Sequence, residues 1–136
     1  MSAKMAKIYT ALKTVLDAAF DPGDVPHDNI RPAQDLSEPE AGNMIYYSYT
    51  SGSWDNKARR GSGVISLSVG SVKEGVDANG LLDQARDALT ARSLSYVGSP
   101  IRVHLFRESE SLTDADTTDS GRSLAATSFD VKFVEA

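Results

Sequence analysis

Residues 77–92 read Asp-Ala-Asn-Gly-Leu-Leu-Asp-Gln-Ala-Arg-Asp-Ala-Leu-Thr-Ala-Arg, and in them Leu81, Leu82 and Leu89, with Ala78, Ala85 and Ala88, recur at three- and four-residue steps. That period predicts an α-helix with one apolar stripe. Asp83, Gln84, Asp87 and Thr90 fall on the opposite, water-facing side. Asp77 is suited to cap the first turn, and Arg86 and Arg92 load positive charge toward the C-terminal end, where the helix dipole favours it. The stripe needs a wall to lie on. Runs with a two-residue period stand on both sides of it, at 64–72 and 101–106, and these are read as strands.

The same reading extends along the chain. Met5, Ile8, Leu12, Val15, Leu16 and Ala19 follow helical spacing over residues 3–20, and Asp21-Pro22-Gly23 stops that helix. Residues 24–42 carry Pro26, Pro32 and Pro39 without periodicity, so they read as a long irregular connection held by Val25, Ile30 and Leu36. Residues 44–50 form a strand with Ile45, Tyr47 and Tyr49 on one face, and 51–63 form a glycine- and serine-rich hairpin connection. In the run 64–72, Ile65, Leu67 and Val69 point inward. In 101–106, Ile101, Val103 and Leu105 share one face and Arg102, His104 and Phe106 the other. Residues 108–122 read as an acidic loop, and 124–134 as a last strand whose Ala125, Thr127, Phe129, Val131 and Phe133 alternate with polar residues. The expected order is α-β-β-α-β-β. This is an α+β, two-layer domain spanning residues 1–136, with a mainly antiparallel four-stranded sheet and both helices on one face.

Composition narrows the function classes. A formal charge of −5 over 136 residues argues against a duplex nucleic-acid binder that works by neutralising phosphates. No cysteine is present, so disulfides, thiolate chemistry and cysteine-based zinc sites fall away, which suits a bacterial-type cytoplasm. No signal peptide and no membrane-spanning run is read.

Motifs for bond-making are missing. His27 and His104 stand apart from any partner at metal-ligand spacing, and Gly61-Ser62-Gly63 precedes a strand and reads as turn chemistry. Asp114, Asp116 and Asp119 suggest calcium, but Asp119 stands where an EF-hand needs glycine and Ala125 where it needs glutamate, so a solvated acidic loop is the better reading. Asp83 and Asp87 lie one helical turn apart without a facing carboxyl across a cleft. No catalytic residue, cofactor or metal is therefore expected. Trp54 has two readings, packing of the hairpin onto its own body or an anchor at a protein interface.

Laid out in this order, the chain resembles the tail terminator (tail completion) proteins of long-tailed bacteriophages. The likeness runs through the helix ending Ala19-Phe-Asp-Pro-Gly23, the strand Asn43-Met-Ile-Tyr-Tyr-Ser-Tyr49 and the strand Gly63-Val-Ile-Ser-Leu-Ser-Val69. It continues through the helix Leu81-Leu-Asp-Gln-Ala-Arg-Asp-Ala-Leu89, Ile101-Arg-Val-His-Leu-Phe-Arg-Glu-Ser-Glu110 with its acidic loop, and Ser128-Phe-Asp-Val-Lys-Phe-Val134. The resemblance implies a virion protein of the tail, assembled in the host cytoplasm. It would form a homo-oligomeric ring, usually a hexamer, that caps the tail tube protein and presents its other surface to the head connector. No membrane or sequence-specific nucleic acid is implied. Two polar loops of unlike charge are candidates for the oligomer or tube interface: Trp54, Lys57, Arg59 and Arg60 in one, and Glu108, Glu110, Asp114, Asp116 and Asp119 in the other. Another head-tail connector or minor tail protein, or a small α+β enzyme, are the alternative readings.

Overall fold

The computed structural model describes residues 3–32, 43–55, 57–71, 78–90, 94, 101–117 and 123–135. Its elements are α1 (Ala3–Ala19), a single 3-10 turn (His27–Asn29), β1 (Ile30–Pro32), β2 (Met44–Asp55), β3 (Arg60–Ser71), α2 (Ala78–Ala88), β4 (Ile101–Thr117) and β5 (Ser123–Glu135). The α+β class and the two helices agree with the reading from the sequence. The sheet differs: among the described residues it has five strands in the order β1-β2-β3-β5-β4, and it is mixed, because β1 runs parallel to β2 while the other pairs are antiparallel.

Both helices pack on one face of this sheet. The alternation within the strands decides which face. Ile45, Tyr47 and Tyr49 of β2, Ile65, Leu67 and Val69 of β3, and Ala125, Phe129, Val131 and Phe133 of β5 are all buried, against Leu12 and Leu16 of α1 and Leu82 and Ala85 of α2. Each fully buried aliphatic side chain contributes roughly 1.5–3 kcal/mol. The face turned away from the helices carries Ser48, Ser66, Ser68 and Ser128 with Tyr46 and Val64, and Ser66 and Ser128 approach to 3.4 Å between their hydroxyl oxygens.

The first strand was not expected, since residues 30–32 fall in the stretch read as irregular. Hydrogen bonds from elsewhere in the chain hold it. Lys13 Nζ donates to the carbonyl oxygens of His27 (2.6 Å) and Ile30 (2.9 Å), and it lies 2.9 Å from Asp17 Oδ1. That carboxylate oxygen is paired by charge, yet accepts no well-aligned hydrogen bond. Buried Asn29 donates to Asn43 O at 3.0 Å, and Asn43 donates to Asp24 O at 2.9 Å, which ties the two ends of the connection together. Leu36 and Pro39 lie outside the described residues, as do Val72, Asp77 and Arg92.

Two connections are shorter than composition suggests. The glycine-rich stretch is mostly strand: β2 runs to Asp55 and β3 begins at Arg60. Gly61 and Gly63 serve ring clearance there and not a turn. A Cβ on Gly61 would meet Phe133 at 2.8 Å and Trp54 at 2.9 Å, and one on Gly63 would meet the Tyr49 ring at 2.6 Å. The acidic stretch expected as a loop also continues as strand, since β4 extends to Thr117.

The facing of β4 changes along its length. Val103 pairs with Phe133, Leu105 with Lys132 and Phe106 with Val131, a shift that skips His104. This bulge puts Phe106 on the helix-covered face with Val103, where it stacks on Phe129 at 4.5 Å between ring centroids. The expected grouping of Phe106 with Arg102 and His104, and of Leu105 with Val103, is thereby corrected.

Candidate functional site

The residues proposed for an interface separate into three groups. Trp54 sits on β2 opposite Gly61, stacked on Phe133 at 5.9 Å with the planes 26° apart, and Tyr49 meets the same Phe133 edge-on at 6.1 Å. Trp54 thus packs the hairpin onto the body of the sheet while staying half-buried.

Lys57, Arg59 and Arg60 form the basic tip of the β2–β3 hairpin, and all three are exposed. The turn is built by Asp55, whose Oδ1 accepts from the backbone N–H of Lys57 (2.9 Å) and of Ala58 (3.2 Å), the side-chain-to-backbone bonding that makes Asp a turn former. Arg59 has a φ of 54°, in the left-handed region that closes the turn. The local sequence thus projects cationic side chains from the end of the sheet.

Glu108 leaves the expected cluster. It lies on β4 opposite Phe129, on the helix-covered side, and its Oε2 accepts from Thr127 Oγ1 (2.7 Å) and Arg86 Nε (2.7 Å). Arg86 also donates to Asp83 Oδ1 at 2.7 Å, so one guanidinium joins α2 to the edge strand. The Thr127 hydroxyl, opposed by desolvation and helped by Arg86, holds the Glu108 carboxyl below its ordinary range. Burial works against the charge on Arg86, but its bonds to Glu108 and Asp83 override that and raise its pKa. Sequence spacing gives no signal for this set, because its members come from α2, β4 and β5. Glu110, Asp114 and Asp116 belong to the distal half of β4, with Glu110 in register with Ser128 and Asp116 with Leu124. Asp119 lies outside the described residues.

His27 Nε2 lies 2.9 Å from Phe20 O, and His104 is exposed at its bulge. Among the described residues, no three His, Cys, Asp or Glu side chains come together as a metal site. A small dent between Ile8 and Ala11 of α1, Leu94, and Ile65, Val131 and Phe133 of the sheet is apolar apart from Lys7 at its rim. Tyr47, buried beside Tyr9 with ring centroids 5.9 Å apart, has its phenol pushed up to about 12 by burial, with smaller contributions from Asp17 and Tyr9. It is a core residue.

The geometry defines an α+β domain with a basic tip and an acidic edge strand. No protein-family model matches the chain, and no curated protein matches it. Among the described residues, no helix is long and apolar enough to cross a membrane.

Proposed function

We propose that this protein is a virion structural protein of the tail-terminator type, a ring subunit that caps the tail tube, stops its growth and forms the surface joined to the head. The observation that carries this reading is the sheet. Among the described residues, helices cover one face only, and β4 runs along one edge for 17 residues with no described strand on its outer side. A small domain so built offers broad surfaces to copies of itself and to neighbours, which is what a joint requires. The sequence stretches quoted for the resemblance support the same reading. The function is steric recognition, with the bonds of its partners left unchanged.

The test is direct. Purified protein added to polymerising tail tube protein halts elongation, and electron microscopy shows a cap of density at one tube end. Tubes that grow to the same lengths with and without it would refute the reading. Binding to a portal-side connector ring without binding to the tube would favour the alternative of another head-tail connector.

A further inference from the structure

The face of the sheet that the helices leave open carries its side chains in rows across the strands. At the end where the β2–β3 hairpin turns, Arg60 of β3 pairs with Val134 of β5, which pairs in turn with Arg102 of β4. Ser62, Lys132 and Leu105 form the next row on this face, and Val64, Asp130 and Arg107 the one after it. The rows between them hold the buried Phe133 and Val131, which point the other way, toward the helices. Two side-chain contacts agree with this placement, Ser53 Oγ to Ser62 Oγ at 2.9 Å and Arg107 Nη2 to Asp130 Oδ2 at 3.8 Å.

The cations of this corner outweigh its acids. Among the described residues, Arg60, Arg102 and Lys132 are exposed and make no ion pair. Asp130 is engaged by Arg107, and Asp55, in register with Arg60, gives its Oδ1 to the backbone of its own turn. With strands about 4.8 Å apart and about 3.3 Å per residue along them, the Cα atoms of Arg60, Arg102 and Lys132 lie roughly 8–10 Å from one another. That is comparable to the screening length of about 8–10 Å at ordinary ionic strength, so each cation raises the potential at the others. In a chain of net charge −5, the sign is locally reversed.

What the cations surround selects the partner. Val134 stands between Arg60 and Arg102, Leu105 beside Lys132 and Val64 one row further, and all three are half-buried. Arginine around apolar side chains is the composition of a protein interface. A single nucleic-acid strand would need rings to stack on. Among the described residues of this face the aromatic ring is Tyr46, opposite Ser68 and therefore roughly 26 Å along β3 from Arg60. A long polyanion would also run off the patch onto a molecule that is negative as a whole.

We infer that this corner of the open face, with Arg60, Arg102 and Lys132 around Val64, Leu105 and Val134, binds a short acidic segment of a different protein, one in which carboxylates flank an apolar side chain. The carboxylates meet the two guanidinium groups and the ammonium, and the apolar side chain covers Val134. Under the terminator reading, on which only the partner's identity rests, the segment belongs to a neighbouring virion protein; the binding chemistry is a property of this chain alone.

Fluorescence anisotropy of a labelled, short, end-blocked peptide of alternating glutamate and valine, titrated with the full-length protein, tests it. Arg60→Glu with Arg102→Glu is expected to weaken binding about tenfold or more, and the same peptide with glutamine in place of glutamate to bind as weakly. Lys132→Glu and Lys7→Glu change the net charge equally, but Lys7 belongs to α1 on the covered side of the sheet. Lys132→Glu is therefore expected to weaken binding about threefold and Lys7→Glu to leave it unchanged. Binding is expected to fall as salt rises from about 0.05 to 0.5 M. Circular dichroism checks folding, and should the double reversal unfold the chain, Arg60→Gln with Arg102→Gln replaces it, with a loss of about threefold expected. A peptide that does not bind, unchanged binding in the double variant, equal loss in Lys7→Glu, equal binding of the glutamine peptide, or tighter binding of an oligothymidylate overturns the inference. So does peptide binding that falls as the protein self-associates, which would put a second copy on the patch. Tube capping is scored separately: a protein that caps tubes but ignores the peptide keeps the terminator reading and loses the patch, whereas one that binds the peptide at the patch and ignores tubes does the reverse.

Discussion

The two hairpins of this sheet are built on opposite terms. In β2–β3, the buried faces Ile45-Tyr47-Tyr49 and Ile65-Leu67-Val69 lie opposite each other, and a single shift between Ser51 and Ser53 interrupts the ladder. In β4–β5, three shifts occur, all placed by where β4 departs from alternation, since β5 pairs with β3 without a break. Sliding a strand by one residue would turn its apolar set out to water. Side chains on the covered face thus pin register in β2, β3 and β5, and the edge strand absorbs the irregularity. The lesson concerns position in the sheet as much as composition: β5 is central and straight, while β4 is at the edge and bulged.

The sharpest way to break the contrast is to disturb the regular hairpin where it has no slack. Gly63→Val would drive its Cβ into Thr50 O and the Tyr49 ring, and neither backbone nor buried ring can move aside. A loss of about 3 kcal/mol or more is expected in urea unfolding. A loss under about 1 kcal/mol would mean that the aromatic packing over β3 is loose, and that the two hairpins differ less than their registers imply.

Next comes the stacked pair Phe106 and Phe129, one ring on each kind of strand. Phe129 is 4% exposed on central β5, while Phe106 is only partly buried on the edge. Phe129→Ala is expected to cost about 3–5 kcal/mol and Phe106→Ala about half as much, because the edge side can relax and is already partly wet. Equal losses would show that the bulge at His104 anchors β4 as firmly as regular pairing does.

These expectations mark what was legible in the sequence. The stripes of both helices and the alternation in β2, β3 and β5 were, because each is set by periodic burial of side chains such as Leu12, Leu82, Leu67 and Phe129. Strand β1 was not: three residues ending in Pro32 carry no period, and they are strand because they lie parallel to β2, with Lys13 bonded to Ile30 O. The far half of β4 was hidden for a related reason, since its acids and serines favour a loop locally and the ladder with β5 overrides that preference. Gly61 and Gly63 misled in the other direction, as glycine marks both turns and places where a ring lies close on a strand. At the candidate site, the basic tip was legible from Asp55 to Arg60. The removal of Glu108 from the acidic group was not, for nothing local reveals that Thr127 and Arg86 converge on it.

That convergence yields the third test, on the link between α2 and the edge. Thr127→Val removes the hydroxyl that donates to Glu108 at 2.7 Å, and a loss of about 1–2 kcal/mol is expected near neutral pH. The pH dependence carries more information. Glu108 is held below its ordinary value of 4.5 when folded, so its contribution is complete above that value. It is lost as pH falls through the lower folded pKa, because the unfolded chain takes up the proton first. The variant should lose less stability than wild type between pH 7 and pH 3. Parallel curves for the two would show that Thr127 does not sustain the ionised carboxylate.

The smallest effect is expected at the exposed charge pair on the irregular hairpin. Arg107 and Asp130 face each other across β4 and β5 with 3.8 Å between Nη2 and Oδ2, and their side chains are 72% and 42% exposed. At that distance and exposure, water and salt screen the attraction, and holding two mobile side chains in place offsets what remains. Asp130→Asn should therefore change stability by less than about 0.5 kcal/mol, within the usual range for such pairs. The same substitution in 0.5 M salt should be indistinguishable from wild type, to roughly the precision of a denaturation midpoint. A loss above 1 kcal/mol would mean that the edge strand depends on this pair for its register, and the ion pair would then do for β4 what buried side chains do for β2 and β3.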